Sequence, residues 1–356
     1  IRLSLVGSEM CIRDSKKAKG VLALIVAVAI AANVAIFTRM DYNKTHADPD
    51  HIVFRVGHSV AESHPIHAAY QWAEEELERR SNGRWDVRIY PNASLGGDRQ
   101  LLESVILNYI QVSAPPASTL AGFDQRIMVL DIPFIFTSRE AAQTALDNEL
   151  GEWLDTLIEP LGLYAPSWRI TQFRHLTTKN TPVHSPADLQ GMSVRTQENP
   201  IHLAAFKCWG ANPTPMSFSE LFTALQQGTV DAQENPIVTM ASSRFYEVQK
   251  YLILTGHFAN VGAQSVNADF INSLSDEDRE MFLEVMDEVA VRVADGMYEM
   301  DDYYMGIAQE HGMEVIELTS EEKNEFISMV DSVYDLYINQ YGGSQEIIDM
   351  ATKYND

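Results

Sequence analysis

The sequence is poor in cysteine and in basic side chains. Its 356 residues include two cysteines, Cys11 and Cys208, and the first precedes a segment with the pattern of an export signal. The mature chain is then expected to hold Cys208 alone, which excludes an intramolecular disulfide, and a chain of this size can be held by its core instead. The 26 basic and 50 acidic side chains give a formal net charge of −24. This charge argues against nucleic acid and against an anionic membrane surface as partners.

Several motifs of catalysis and cofactor binding are also missing. The chain has no G-x-S-x-G elbow and no G-x-x-x-x-G-K-[ST] phosphate loop. His58, His64 and His67 suggest a metal site, because the last two lie one helical turn apart, but no nearby cysteine or acidic triad completes it. We therefore predict that the protein is not an enzyme and that it holds no metal and no cofactor.

What remains is the composition of an ordinary globular protein. Hydrophobic residues make up 46 % and charged residues 21 % of the chain, and the length is sufficient for two domains with a real core. The acidity favours solubility or a saline habitat. If the ligand is an anion, particular arginines must hold it against the overall negative field.

The first 50 residues have the pattern of a leader. Residues 1–15 show no periodicity and no initiator methionine, and we interpret them as not native. Three lysines follow within residues 16–19, and the apolar run 21–37 contains a single polar side chain, Asn33. Basic residues before an apolar run predict export, either by a cleaved signal peptide or by an uncleaved anchor with residues 41–50 as a polar tether.

The order of elements after the leader predicts an α/β fold. Apolar residues alternate in strand-like stretches and recur every three or four positions in helix-like ones. Strand, helix and strand follow one another in the manner of a doubly wound sheet. The predicted strands are 52–56, 85–89, 110–114, 163–168 and 173–178, the predicted helices are 64–81, 98–108 and 138–158, and 127–136 is an apolar run broken by proline.

The stretch 191–236 places polar side chains at the ends of short elements. Residues 192–196 read as a strand that delivers Arg195 at its end. After a Gly-Ala-Asn-Pro-Thr-Pro turn, Ser217 and Glu220 form the pattern of a capping box, and the helix is expected to stop at Gly228. An extended segment over 229–233 then ends at Glu-Asn-Pro. Such positions are where an α/β protein usually builds a pocket.

Near the C-terminus the apolar spacing predicts two long helices. The first runs over 276–311 behind Ser275 as its cap, and at ~1.5 Å per residue it would span about 54 Å. That length is enough for a strut across two lobes. The second is expected over 320–341.

A resemblance to a known family rests on several blocks of this sequence. The residues PTPMSFSELFTALQQGTVDAQENP, with GMSVR upstream, resemble the signature of the substrate-binding subunit of TRAP transporters, the tripartite ATP-independent periplasmic carriers with DctP-like binding proteins. The blocks YPNASLGGDRQLLESV and QFRHLTTKNTPVHSPADLQG extend the match over most of the chain from about His51. Separated blocks in the right order are far more specific than one short motif.

The resemblance implies an architecture and a function. It implies an α/β protein of two lobes, of the periplasmic-binding-protein type, with a hinge and a long helix that spans both lobes. Lobe I is placed at 47–173 and 262–300, and lobe II at 174–261 and 301–356. Family members bind C4-dicarboxylates, sialic acid, or uronic and aldonic acids in the periplasm and deliver them to a small and a large membrane subunit; we expect a monomer. An extracytoplasmic sensor and, less favoured, a periplasmic enzyme are the alternatives.

The resemblance also assigns residues to the ligand. The family counterpart of Arg195 contacts the ligand carboxylate, Phe218 and Asn235 match the pocket aromatic and amide, and a guanidinium can bind a carboxylate through two bonds. From the sequence alone each arginine could instead pair with an acid of the protein, and Asp98 could be a helix cap. The predicted ligand-binding residues are Arg195, Arg174, Asn235, Phe218, Asp98, His58 and Ser59.

One departure from the family concerns the far wall of the pocket. Many relatives carry an acidic residue and a glycine where this chain has Arg169 and Gln172. The choice between a dicarboxylate and a sugar acid stays open at this point.

Overall fold

Two β-sheets organise the part of the chain that the structure, a computed structural model, describes, which is residues 51–355. Within it, the residues from Val53 onward belong to a single compact unit. The predicted non-native start, the export segment and the polar tether lie outside the described residues. The strands are β1 (Ile52–Gly57), β2 (Trp85–Tyr90), β3 (Val112–Ser113), β4 (Leu163–Tyr164), β5 (Trp168–Thr178), β6 (Ser193–Thr196), β7 (Asn212–Pro215), β8 (Ala232–Asn235), β9 (Tyr251–Ala263), β10 (Ser265–Asn267) and β11 (Glu314–Glu317).

The first sheet has five strands in the order β2-β1-β3-β10-β4. β1 and β3 are parallel, with Val56 opposite Val112, and β10 runs antiparallel to both β3 and β4. The sheet therefore contains a strand, β10, that comes from much later in the chain than its neighbours.

The second sheet has six strands in the order β11-β9-β5-β8-β6-β7. Its centre is the long antiparallel pair of β5 and β9, and β8 pairs antiparallel with β5 and parallel with β6. The β5–β9 register shifts between Ile170 and Gln172 and again between Arg174 and Leu176. The mixed α/β fold with two lobes, predicted above, is confirmed.

Helices cover both sheets. The α-helices are α1 (Pro65–Arg80), α2 (Asp98–Ile106), α3 (Ala117–Leu120), α4 (Arg139–Leu146), α5 (Glu149–Ile158), α6 (Pro200–Cys208), α7 (Phe218–Gln227), α8 (Ile237–Ser242), α9 (Ala268–Ser273), α10 (Asp276–Glu299), α11 (Asp301–Glu310), α12 (Ser320–Ile327), α13 (Asp331–Gln340) and α14 (Gln345–Thr352). Short 3-10 helices occupy Gln125–Asp131, Glu159–Leu161, Pro186–Leu189 and Phe245–Glu247. None of the helices within 51–355 is both long enough and apolar enough to cross a bilayer.

The chain passes between the two sheets at short connections. β4 of the first sheet is followed after residues 165–167 by β5 of the second, and β9 of the second is followed after Gln264 alone by β10 of the first. The long helix α10 packs against both α1 and β5, and α11 packs against α8. The predicted lobe limits stay a prediction.

Three predicted helices are interrupted. The helix expected over 276–311 ends at Glu299 and starts again at Asp301, because Met300 leaves the helical conformation at φ −92° and ψ 0°. The apolar stripe continues across this bend, so the sequence periodicity did not reveal it. The helices expected over 138–158 and 320–341 are likewise divided, the first at residues 147–148 and the second at 328–330.

Three local predictions in the stretch 191–236 are wrong. Residues 212–215, expected as part of a turn, form β7, because they pair with β6 in a parallel ladder. Ser217 holds the N-cap position of α7 but its hydroxyl lies 3.1 Å from Ser219 Oγ and makes no bond to the helix backbone, so the capping box is absent. The extended segment is residues 232–235 and includes Asn235, whereas Gly228 ends α7 in the left-handed conformation as expected.

Candidate functional site

A cleft of about 800 Å³, open to solvent, is lined by residues of the second sheet, of helix α10 and of the loops that follow β1 and β3 of the first sheet. Five predicted ligand-binding residues line it: Ser59, Asp98, Arg174, Phe218 and Asn235. The other two, His58 and Arg195, are buried and are not part of the lining. Other polar lining residues are His64, Ser167, Arg169, Thr171, Gln197, Thr239, Asn260 and Gln264.

Arg174, in the middle of β5, is held by a carboxylate of the protein. Its Nε and Nη2 donate to the two carboxylate oxygens of Glu234, the second over 2.9 Å. Nη2 also donates to Glu234 O at 2.7 Å and to Asn235 Oδ1 at 3.0 Å, and Nη1 donates to Asn260 Oδ1 at 2.7 Å. Pairing with an acid, the alternative left open above, is thus what the structure shows for this guanidinium. The side chain still reaches the cleft.

Glu234 is fully buried and lies at the centre of a polar network. Burial alone would raise the pKa of its carboxyl, but the positive charge of Arg174, the nearby His257 and the hydrogen bonds that Arg174 donates hold the pKa well below the usual range. His257 Nε2 lies 3.6 Å from Glu234 Oε2, and His202 Nδ1 lies 3.9 Å from Glu234 Oε1. The network fixes Arg174 in one position because its partner cannot rotate away from it.

Arg195, at the end of β6, is a buried cation that lacks a carboxylate partner. Its Nε and Nη2 both donate to the backbone oxygen of Met216, at 3.0 and 2.7 Å. Across residues 51–355, no acidic oxygen lies within 4.0 Å of its guanidinium nitrogens. Burial lowers the pKa of Arg195 to about 10, against the opposing effect of the negative charge on Glu234. Burial has therefore removed the hydration of this positive charge, and the hydrogen bonds to Met216 O replace only part of it.

Asp98, the first residue of α2, is half-buried at the wall of the cleft. Gly97 holds the N-cap position, so the helix-cap alternative for Asp98 is wrong. Burial raises the pKa of its carboxyl, although the Ser59 hydroxyl and the charges of Arg195 and Arg174 act in the opposite direction. The protein thus disfavours a second negative charge beside its two arginines.

Asn235 and Phe218 complete the second-sheet side of the cleft. Asn235 is the last residue of β8, and its Nδ2 donates to Gln233 Oε1 at 2.5 Å. Phe218 is the first residue of α7, and its ring centroid lies 6.0 Å from that of Phe245. The sequence had predicted both as pocket residues, and the structure places both on the lining.

The histidines near the end of β1 contact one another. His58 Nε2 lies 3.1 Å from His67 Nδ1, and burial, together with the neighbouring His67, lowers the pKa of His58 to about 4. His64 caps α1 and lies 3.2 Å from Thr239 Oγ1; burial and the neighbouring His58 lower its pKa to about 3. Within the described residues no group of three or more histidine, cysteine or acidic side chains is arranged to hold a metal ion.

Arg169 and Gln172, the two residues that depart from the family pattern, lie in different places relative to the cleft. Arg169 lines the cleft, whereas Gln172 is buried and its Nε2 donates to Met297 O at 3.0 Å and to Asp301 Oδ1 at 2.8 Å. Gln172 therefore ties β5 to the bend between α10 and α11.

Sequence reasoning missed the residues that hold the arginines. Glu234 was expected only to end an extended segment, yet it is the partner of Arg174. Asn260, which accepts from Arg174, lies on β9, where no motif marks it. The available signal was that arginines on strands among apolar residues need buried acceptors.

The family model for "Bacterial extracellular solute-binding protein, family 7" matches residues 56–340 of the chain. A curated relative, a solute-binding protein of Verminephrobacter eiseniae, is 34 % identical over 288 residues, which is 81 % of this chain and 85 % of that protein. The family model and this relative therefore each cover most of the described residues.

Solved structures share the fold. A TRAP periplasmic solute-binding protein of Shewanella oneidensis with bound succinate superposes with a TM-score of 0.82 at 26 % identity, covering 86 % of this chain and all of that one. A second, from Polaromonas sp. JS666 and bound to D-erythronate, has a TM-score of 0.80 at 30 % identity and covers 86 % of this chain and 99 % of that one. The two bound molecules are both four-carbon acids.

Proposed function

The chain belongs to the bacterial extracellular solute-binding proteins of family 7, and on that premise we propose that its cleft captures a small organic acid and presents it to the membrane subunits of a TRAP transporter. Related proteins bind succinate and D-erythronate, which are a dicarboxylate and a sugar acid. Both classes need a cation in the pocket for a carboxylate. The description of the family as extracellular solute-binding proteins supports a location outside the cytoplasm and a role in transport.

The observation that carries the proposal is Arg195, a buried guanidinium in a strongly acidic chain. Its positive charge is met by one backbone oxygen, Met216 O, and by no carboxylate among residues 51–355. Charges buried in proteins are normally paired, because the loss of hydration is costly. A ligand carboxylate supplies the missing partner when the cleft closes over it.

The other predicted site residues have complementary parts in this proposal. Arg174, whose Nε and Nη2 donate to the Glu234 carboxylate, adds a guanidinium to the cleft wall. Asn235 and Ser59 supply neutral hydrogen-bonding groups, and Phe218 supplies an apolar face. His58 precedes Ser59 in the chain and is bonded to His67, so it supports that corner of the cleft from outside the lining.

Export and assembly complete the proposal. A leader within residues 1–46, cleaved or kept as an anchor, carries the chain across the membrane, and the binding protein works as a monomer. Solubility of a chain starting at about residue 47, without detergent and with a single monomeric species in sedimentation, is the expected outcome.

A calorimetric screen of organic acids tests the proposed function directly. The purified protein is titrated with succinate, D-erythronate, and a panel of uronic and aldonic acids, and neutral sugars of the same size serve as controls. We expect saturable binding of at least one acid and none of the neutral sugars. Binding of the neutral sugars alone, or of nothing in the panel, contradicts a carboxylate-binding function.

A further inference from the structure

Strand β5 presents two arginines to the same cleft, Arg169 and Arg174. Residues five apart on a regular strand face opposite sides, so a regular β5 could not do this. The register against β9 shifts between Ile170 and Gln172, which leaves Thr171 as an extra residue. Such a β-bulge exchanges the two faces of the strand beyond it. The bulge therefore brings both guanidinium groups to one side.

The partners on β9 give the spacing of the two arginines. Arg169 lies opposite Gly262 and Arg174 lies opposite Phe258. Four positions along a strand correspond to about 13 Å at ~3.3 Å per residue. The backbones of the two arginines therefore lie about 13 Å apart along one wall of the cleft, and both side chains line it.

The two guanidinium groups differ in how well the protein satisfies them. Arg174 has both oxygens of a buried carboxylate. In the part of the chain that the structure describes, the acidic partners of Arg169 are Asp147 Oδ1 at 3.4 Å and Asp287 Oδ1 at 4.0 Å, and these aspartate side chains are 50 % and 56 % exposed. Exposed pairs at such distances contribute little. The Nε of Arg169 is buried and has no acceptor among residues 51–355.

A buried N–H without an acceptor is costly, and a ligand oxygen would remove that cost. The ligand of the proposed function brings one carboxylate to Arg195 and Arg174. A neutral hydroxyl at the ligand's far end would leave the charge of Arg169 uncompensated, whereas a second anionic group would make charge-assisted hydrogen bonds with it. We propose that Arg169 is a specificity-determining residue, which selects acids with an anionic group at both ends over acids with one. This inference rests on the proposed function of the cleft.

Succinate and D-erythronate form a matched pair of probes, since both have four carbons and only succinate has two carboxylates. Titration calorimetry on the protein expressed from its full sequence gives the Kd of each acid for the parent, Arg169→Gln and Arg169→Lys. We expect the parent to prefer succinate. Arg169→Gln should weaken succinate binding by about ten- to a hundredfold and D-erythronate binding by less than about threefold. Arg169→Lys should keep part of the preference, because the ammonium retains the charge and loses the planar fork.

Arg88→Gln is the matched control, because Arg88 is an exposed arginine of β2 that pairs with Asp86 and is not part of the cleft lining. It should bind both acids like the parent. Thermal melts without ligand show whether each variant is folded. If Arg169→Gln is unfolded, the loss of succinate preference is measured on Arg169→Lys instead.

The outcomes separate this inference from the function on which it rests. A parent that binds D-erythronate as tightly as succinate, or a variant that loses both acids equally, overturns the role of Arg169 and leaves the capture of carboxylates intact. A parent that binds neither acid overturns the inference, and the broader acid panel then decides the proposed function.

Discussion

Arg195 combines burial, a positive charge and a single backbone acceptor, and these features predict a large effect of its removal. Arg195→Ala should weaken carboxylate binding by some thirty-fold to several thousand-fold, because truncating one partner of a desolvated ion pair costs roughly 2 to 5 kcal/mol. Arg195→Lys should recover part of the affinity. Titration calorimetry with the acid found in the screen measures both variants.

The same variants test whether Arg195 is structural. Arg195→Ala loses two hydrogen bonds to Met216 O and also relieves the protein of a desolvated charge, so its ligand-free melting temperature should stay close to that of the parent. Unfolding before any ligand is added, or parent-like affinity, would show that the site assignment is wrong.

Asp98 predicts a pH dependence of binding. Its pKa is raised, so a fall in pH removes a negative charge from the cleft wall before ordinary aspartates are protonated. Affinity for a carboxylate should therefore rise as the pH falls toward that pKa, until the ligand itself is protonated. Asp98→Asn should bind more tightly than the parent at pH 8, by about tenfold or less, and should lose this pH dependence.

Titrations between pH 8 and pH 5 in buffers of equal ionic strength measure the Asp98 effect. The ligand-free protein should also gain stability as the pH falls through the raised pKa, because the fold favours the protonated form. If Asp98→Asn binds more weakly at every pH, the carboxylate is an acceptor for ligand hydroxyls and its charge is not repulsive.

Single residues of the site were predictable to different degrees. Phe218 lies on the cleft lining, as the recognisable block of sequence that contains it predicts, whereas the role of Arg195 stays a prediction because that residue is buried and is not part of the lining. The state of Arg174 was not predictable, because its partner Glu234 lies 60 positions away and meets it only through the β5–β8 pairing. Long-range pairing of this kind leaves no local pattern.

Among the elements, helix α10 depends on its cap. Ser275 Oγ accepts from Asp278 N at 3.1 Å and donates to Asp278 Oδ2 at 2.8 Å. Asp278 also receives Arg84 Nη2 at 2.6 Å and Trp85 Nε1 at 3.2 Å, so the cap ties α10 to β2.

Ser275→Ala should therefore lower the free energy of unfolding by about 1 kcal/mol. Urea denaturation measures the change, and Ser94→Ala, at an exposed loop serine, is the control. Equal midpoints for the two variants would mean that the cap contributes nothing.

The element boundaries show where sequence patterns end. The periodicity of α10 and α11 is continuous, yet Met300 interrupts the helix between the part that packs on α1 and the part that packs on α8. β7 was read as a turn because it contains two prolines, and it forms a strand at the edge of the second sheet, where proline is tolerated. In both cases the local conformation depends on contacts with distant elements, α1 and α8 for the helices and β6 for the strand, and local sequence patterns do not show such contacts.

The whole molecule is expected to close around its ligand. The sheets are joined by residues 165–167, by Gln264 and by the bend at Met300, and cleft residues on both sides must meet one small molecule. Ligand binding can only favour a closed form through contacts made there. Small-angle scattering should show a smaller radius of gyration at saturating ligand, and an unchanged profile at proven saturation would contradict a hinge.

For the whole molecule, the sequence predicted the fold class and the family. Alternating strands and helices predicted the α/β class, and the separated blocks predicted the family, which the family model over residues 56–340 confirms. The exchange of strands between the sheets was not predictable, because β10 has three residues and no pattern of its own.

The position of β10 has a consequence for how the protein is made. In the first sheet β4 pairs only with β10. Strand β10 lies between β3 and β4 in the sheet, although it follows β5 to β9 in the chain. A nascent chain cannot complete its first sheet until residue 267 has left the ribosome, and by then most of the second sheet has been synthesised as well. Such contacts between distant parts of the chain also slow folding. The strand order therefore delays completion of the first sheet until most of the chain has been synthesised.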